Sequence, residues 1–530
     1  CQLFNHMESL DLIAKPQLSP SRLPEQKWIF IALIALNFCI ALVLAANLNI
    51  WIDEAYSLHT SGKDFHNTLN QALYFELQPP AYFLILNLWR QLNNSIFFAR
   101  LFSILCIVLT LAIVPKLSQK YLPDIHPAWI TAAVALNPFT IWAAVEIRVY
   151  AFVILLSALL MLFFFDGYLS EQPNQLARWA YIQVAILSLY TQYFIAFLLA
   201  AQAIAFLCFK RWQGLRKSIL EIIVFGLAFL PILLFLPHQM SEHTAGVPKT
   251  FSISESLRLL IWNSLNYFLP INWTWLRNYQ DNNVFLYILG VLMLGLMFLI
   301  YQKPRWFKQQ DIALWIMASV IIFLLAGVVI KITGAELIEP RHTAVLFIPV
   351  IFSAFSLIKA ASFPWVKSSD RLKILLVWTL ILLCFNLASL ESTYRRMSKP
   401  ADLGRVANYI TIHEKPKQPI LVFPGFLSLP LSYHYSGQNS LVPIPRGEDF
   451  QNYNLRKFVL KEEREILAAL SKVTNQPQSI WTVSVQRCKN LNINYNCQLF
   501  QDFIKRNYSV QLSQKFRGTN VELWQRKSNN

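Results

Sequence analysis

Across 530 residues the chain is 55% hydrophobic and only 14% charged, where a soluble globular protein carries roughly a quarter charged residues. So few charges cannot cover the surface of a soluble chain this long, and the long unbroken apolar runs exclude the alternating strands of a membrane barrel. The net charge of +17 is placed in membrane-flanking loops, because Lys and Arg gather on the cytoplasmic side of spanning helices; no nucleic-acid partner is expected.

Apolar runs of about 20 residues cross the ~30 Å hydrocarbon layer as helices, which satisfy their own backbone polar groups inside lipid. Residues 1–27 are expected to form a cytoplasmic N-terminal segment, and the apolar run after them is too long for a signal h-region. About eleven spans follow, near 28–48, 97–115, 128–143, 148–166, 178–190, 192–209, 218–236, 283–301, 311–330, 342–360 and 374–390. With the N-terminus inside, the short inner loops carry Lys116/Lys120, Lys210/Arg211/Arg216/Lys217, Lys303/Arg305/Lys308 and Lys367/Arg371/Lys373, in agreement with the positive-inside rule. An odd number of spans then puts the tail, 391–530, on the outer face.

Residues 80–92 are apolar but too short to cross, and are read as a helix lying on the membrane surface. The outer loop 49–95 therefore holds two or three interfacial helices. A second outer segment, 237–282, is rich in Trp and Tyr (Trp262, Tyr267, Trp273, Trp275, Tyr279), residues that suit the membrane interface as well as sugar stacking. The tail alternates helix-like stretches (402–412, 427–435, 456–470) with strand-like ones (420–423, 441–444, 480–485) and ends in a hairpin pattern at 510–515 and 521–524. This alternation predicts a small α/β domain. Cys488 and Cys497 lie in that tail, and an oxidising outer compartment would allow them to pair.

Charged residues at span ends are the candidates for chemistry. Asp53 and Glu54 follow the first span directly; the plain alternative is a helix cap. Glu76 precedes Gln78-Pro79-Pro80, where the proline pair fixes an extended lead into the next helix. Glu146 and Arg148 stand at a helix start, two residues apart, so they do not share a helix face and each needs another partner; an interhelical salt bridge is the plain alternative. Lys331 and Arg341 lie just outside the tenth span. Arg suits phosphate bidentately, against simple snorkelling at a helix end. His238 and His243 lack a third metal ligand, with only Glu76 to suggest, and are read as solvated loop histidines.

Asp53-Glu54 after the first span, Gln78-Pro79-Pro80-Ala81-Tyr82, Glu146-Ile147-Arg148-Val149-Tyr150 and Glu339-Pro340-Arg341-His342, in that order and on one face, resemble the GT-C superfamily of membrane glycosyltransferases. The pattern is most similar to the protein O-mannosyltransferase and 4-amino-4-deoxy-L-arabinose lipid A transferase family (glycosyltransferase family 39 and its bacterial relatives). Thr191-Gln192-Tyr193 looks like that family's Thr-His-Tyr turn. The resemblance covers about 28–390; Gln78 and Gln192 stand where the family often has His.

The resemblance implies an α-helical polytopic membrane protein with a GT-C-like catalytic domain at 28–390 and an extracytoplasmic α/β domain at 391–530, held in the plasma (inner) membrane. It implies an inverting glycosyltransferase that moves a sugar from a polyprenyl-phosphate donor to a lipid, glycan or protein acceptor on the outer face. In that scheme Asp53 is the base, Glu54 orients it or binds acceptor, and Arg148, Arg341 and Lys331 stabilise the departing phosphate. Glu76, Glu146 and Tyr150 join the substrate-binding set, with Glu146 holding Arg148 or sugar hydroxyls. No cofactor is required, and a divalent metal is a secondary expectation. The competing readings are a transporter or flippase of lipid-linked sugars, for which no internal repeat of the kind common in transporters is seen, and a non-catalytic envelope assembly protein.

Overall fold

The computed structural model describes residues 23–209, 219–244, 308–328, 340–362, 368–473, 477–490 and 493–527. Helix α1 (Leu23–Asn47) is followed by three short helices, α2 (Ile52–Thr60), α3 (Phe65–Tyr74) and α4 (Ala81–Arg90). The long α5 (Ile96–Tyr121) then returns through the bundle. A helix is present within 80–92 as α4, one of three helices between 49 and 95. Among the described residues, four helices are long and apolar enough to cross a membrane: Lys27–Asn47, Ile96–Tyr121, Tyr150–Leu169 and Arg341–Lys359. Shorter apolar helices stand at Ile195–Cys208, Ile223–Leu233, Gln309–Leu325 and Thr379–Glu391. The expected span at 283–301 and most of the 237–282 segment lie outside the described residues.

One span differs from its expectation. Residues 128–143 are not a single helix but two, α6 (Pro127–Ala135) and α7 (Pro138–Ala144). Pro138 cannot donate to the preceding turn and starts a new helix instead. The Asn137 side chain caps that helix by accepting from the Phe139 N–H at 2.9 Å. The break frees carbonyls at the end of α6, and Asn37 of α1 donates to Ala135 O at 2.6 Å, so a polar backbone group at the break is paired within the protein.

Helix α8 (Tyr150–Phe164) packs on α5, which also carries α1, α6 and α7; α9 (Gln175–Leu189) and α10 (Ile195–Cys208) complete this side of the bundle. At the far end of α5 a second ionic layer ties the helices together. Lys359 meets Asp311 at 2.8 Å and Asp124 at 3.5 Å, and Ser356 donates to Asp311 at 2.6 Å.

The helix Ser368–Tyr394 leads through a turn with left-handed backbone at Met397, Ala401 and Asp402 into the C-terminal domain. Its strands are β1 (Ile420–Phe423), β2 (Leu441–Pro443), β3 (Ser479–Val485), β4 (Lys489–Asn490), β5 (Ile493–Asn494), β6 (Tyr508–Phe516) and β7 (Thr519–Arg526). Five of them form one sheet in the order β2-β1-β3-β7-β6, while the short β4 and β5 pair with each other. Strands β2, β1 and β3 are parallel, and β3, β7 and β6 antiparallel. One face of the sheet is covered by the helix Leu403–His413 through Leu403, Val406 and Ile410. The other is covered by Glu463–Ser471 and Cys497–Asn507. Cys488 and Cys497 are joined by a disulfide. The expected helix 456–470 is shorter, because 455–458 form a single 3-10 turn and the α-helix starts at Glu463.

Candidate active site

The site is assembled where α1 ends. Asp53 stands in the first turn of α2. Arg341 opens the turn Pro340–Leu346 that precedes the helix Phe347–Ser362. Although 288 residues apart, the two meet: Arg341 Nη1 donates to Asp53 Oδ2 at 2.7 Å, with both side chains 19% exposed. The Arg341 guanidinium also lies 4.9 Å from the centre of the Trp51 ring, a cation–π contact that fixes its plane. Arg148, in the turn between α7 and α8, reaches the same place. Its Nη1 donates to Glu76 Oε2 at 3.0 Å, to Ser57 Oγ at 3.0 Å and to the Asp53 carbonyl at 3.3 Å. Tyr150 begins α8 two residues after Arg148, and Thr60 donates to Glu76 Oε1 at 3.3 Å. Burial pushes the Glu76 carboxyl up, Arg148 opposes this, and the Asp53 charge adds to it.

The result is two carboxylate–arginine pairs side by side. Arg148 is nearly buried, while Asp53 and Arg341 keep partial access. A partly accessible arginine, Arg341, backed by the buried Arg148, is suited to an anion carrying several oxygens. A carboxylate between them is placed to take a proton.

Glu54 and Glu146 form a second cluster behind the first. Glu54, fully buried, accepts from Arg100 at 3.2 Å, Lys399 at 2.7 Å, the Ile147 N–H at 3.1 Å and the Trp51 N–H at 3.4 Å. Glu146 accepts from Lys399 at 2.8 Å and from Trp51 Nε1 at 2.6 Å. Burial alone would raise the Glu54 carboxyl; Arg100 and Lys399 outweigh it and hold the group below its ordinary range. Glu146 is pushed up to about 7 by burial, with Lys399 opposing and Glu54 reinforcing the rise.

These contacts revise two expectations. Glu146 does not hold Arg148; Glu76 does, and Glu146 holds Lys399 and Trp51. Glu54 does not face the opening beside Asp53, because its oxygens are turned inward onto two cations and two backbone amides. Successive residues of a helix point about 100° apart, so Asp53 toward the opening leaves Glu54 toward the core.

Arg100 and Lys399 are additions that the sequence motifs do not include. A charge inside the apolar run 97–115 is the signal that could have found Arg100. Lys399, just past the last span, is indistinguishable in sequence from an ordinary interfacial lysine. Lys331 and Glu339 lie outside the described residues. His238 is exposed, and among the described residues no group of three or more His, Cys, Asp or Glu is gathered to hold a metal. The Pro79-Pro80 lead does meet the Thr191-Gln192-Tyr193 turn: Ala81 N–H donates to Tyr190 O at 2.8 Å.

No protein-family model matches the chain, and no curated protein matches it. Solved structures do. ArnT from Cupriavidus metallidurans, a 4-amino-4-deoxy-L-arabinose lipid A transferase, superposes in its apo state with a TM-score of 0.58 at 12% identity. Bound to undecaprenyl phosphate it superposes with a TM-score of 0.57 at 13% identity. Each comparison covers 94% of this chain and 98% of the other. At this identity the likeness is one of fold. The chain shares the fold of these two structures over nearly its whole length, C-terminal domain included.

Proposed function

We propose that the protein is an inverting glycosyltransferase that takes a sugar from a polyprenyl-phosphate donor and places it on an acceptor hydroxyl at the outer face of the membrane. The observation that carries this reading is the convergence of Asp53, Arg341, Arg148 and Glu76 at one partly open site beside the end of α1. Donor phosphate would sit against Arg341 and Arg148. The acceptor oxygen attacks the anomeric carbon from the face opposite the phosphate, its proton passes to Asp53, and the anomeric C–O bond breaks with its electron pair leaving on the phosphate. The two guanidinium groups stabilise the charge that builds there. A phosphate needs no acid to leave, so one base is sufficient, and no cofactor enters the scheme.

The Asp53–Arg341 pair gives the donor a second task. In the pair, the Arg341 guanidinium occupies Asp53 Oδ2. A phosphate competing for the same guanidinium loosens that pair and frees the carboxylate when donor is bound. Glu54 and Glu146 are given a positioning role: they hold Trp51 and the start of α2, and with them Asp53. The fold likeness to a protein solved with undecaprenyl phosphate supports a lipid-phosphate donor. The Cys488–Cys497 disulfide supports an oxidising compartment for the C-terminal domain.

The test is purified protein given a panel of polyprenyl-phosphate sugars, with released polyprenyl phosphate and glycosylated acceptor measured. Asp53→Asn keeps size and shape but cannot take the proton. It is expected to insert and melt like the wild type while losing transfer by about 10²–10⁴-fold. Full activity in Asp53→Asn would remove the residue from the base role. Transport without release of polyprenyl phosphate would instead favour a flippase.

A further inference from the structure

The segment 446–453, which follows β2, belongs to the C-terminal domain by sequence but to the site by contact. Tyr56 Oη donates to Glu448 Oε2 at 2.8 Å. The Phe450 ring stacks on His59 with centres 3.4 Å apart and planes 11° apart. It also meets Tyr56 at 6.4 Å and Phe75 at 5.3 Å. Tyr453 packs edge-on against Tyr56 at 6.2 Å and Phe75 at 6.3 Å. Phe450 has a φ of 57°, a left-handed backbone that a bulky residue keeps only where its surroundings over-determine it. Lys457 fixes the segment from its own domain by pairing with Glu448 and, at 2.8 Å, with Asp449.

Tyr56 is one helical turn from Asp53 on α2 and so lies beside it. Tyr453, across from Tyr56, feels the charges of Asp53, Arg341 and Arg148, while burial holds its phenol proton tightly. In the transfer scheme above, the two arginines hold the phosphate. An inverting attack brings the acceptor from the other side, and the segment 446–453 borders Asp53 through Tyr56 and Tyr453.

We propose that the segment 446–453 is the acceptor-side wall of the transfer site, in which Tyr453 hydrogen-bonds the acceptor next to Asp53 and the Tyr56–Glu448 bond with the His59–Phe450 stack closes the wall against water. This rests on the transfer reading above. A closed wall matters because water is a competing acceptor: its oxygen would bond to the anomeric carbon in the same way, its proton would pass to Asp53, and free sugar plus polyprenyl phosphate would result. Excluding it keeps the donor for the intended acceptor.

Three measurements on the full-length purified protein test the wall: acceptor KM, donor KM, and the share of donor lost to hydrolysis. Tyr453→Phe keeps the ring and removes the hydroxyl, and is expected to raise acceptor KM about tenfold, the loss of one hydrogen bond to a polar group, with donor KM little changed. Tyr56→Phe removes the bond to Glu448 and is expected to raise the hydrolysed share several-fold at unchanged melting temperature. Glu448→Gln, which also weakens the contact to Lys457, should act in the same direction. A purely structural segment would lower activity and stability together and leave the partition between acceptor and water alone. Wild-type acceptor KM in Tyr453→Phe, with wild-type partition in Tyr56→Phe, would overturn the proposal while leaving the transferase reading standing. A wild-type protein that releases no polyprenyl phosphate from any donor would overturn both.

Discussion

Lys399 carries one ammonium group between two buried carboxylates, Glu54 at 2.7 Å and Glu146 at 2.8 Å. Its third donor is spent on the Val145 carbonyl at 3.1 Å, and its own backbone N–H donates to Asn49 Oδ1 at 2.8 Å. With Arg100 it balances the charge of the cluster, two cations against two carboxylates. A buried ion pair contributes little net stability when it is complete, but removing one partner strands the other and costs about 3–5 kcal/mol. Lys399→Met is therefore expected to lower the melting temperature of the detergent-solubilised protein sharply, and Glu146→Gln in the same chain should restore part of the loss. A Lys399→Met protein as stable as wild type would show that the lysine is not the counter-charge for this pair. The same residue joins two scales, because it follows the helix Ser368–Tyr394 and begins the C-terminal domain, so the domain is seated by a bond made inside the buried Glu54–Glu146 cluster.

At the scale of elements, α2 shows what nine residues can be made to do. Asp53 and Ser57 face the arginines, Glu54 faces the core, and Tyr56 and His59 face the segment 446–453. His59 makes that last seam sensitive to pH. Burial and then Lys63 lower its pKa to about 4, against an ordinary 6.5. The seam thus favours neutral His59, and a chain with the seam open binds the proton more readily. Stability of the closed seam is full above the ordinary value and is lost as pH falls from about 6.5 toward 4. His59→Phe keeps a ring to stack on Phe450 and cannot titrate. It is expected to flatten the fall in melting temperature across that window, and an unchanged pH profile would remove His59 as its source. How much of these elements is legible in the sequence follows from their patterns. The strand at 420–423 is legible to the residue because a short apolar run between turn residues leaves few alternatives. The helix Cys497–Asn507 is not, although Phe500, Phe503 and Ile504 are spaced as a helical stripe; its polar majority hides the stripe in a hydrophobicity reading. The break at Asn137-Pro138 is legible as a motif but is overridden by the length of the apolar run around it.

At the scale of the whole molecule, the order of charged motifs along the chain is legible, and their pairing is not. Sequence distance carries no information on which arginine meets which carboxylate, since tertiary packing brings residue 53 to residue 341 and residue 54 to residue 399. Two ionic layers result. One joins the end of α1 to the C-terminal domain through Lys399. The other, around Asp124, Lys308, Asp311 and Lys359, lies at the far end of α5, where Lys308 meets Asp124 at 2.9 Å. A helix of 26 residues spans about 39 Å at 1.5 Å per residue, enough to place the two layers on opposite sides of a ~30 Å hydrocarbon core. We propose from the basic loops that the far layer is cytoplasmic and the disulfide-bearing domain outside, an orientation that can be read with thiol chemistry. Cys488→Ser frees Cys497, and in intact cells a membrane-impermeant maleimide should label it above the wild-type background. The Lys308→Cys variant, whose substituted position is half exposed in its layer, should take up label only after permeabilisation. The Cys488→Ser protein should also melt lower, since a disulfide closing so short a loop is worth about 2–3 kcal/mol. Labelling of the Lys308→Cys variant in intact cells, with Cys497 of the Cys488→Ser variant protected, would invert the molecule. Asp53 would then face the cytoplasm, and transfer at the outer face, as proposed above, would fall.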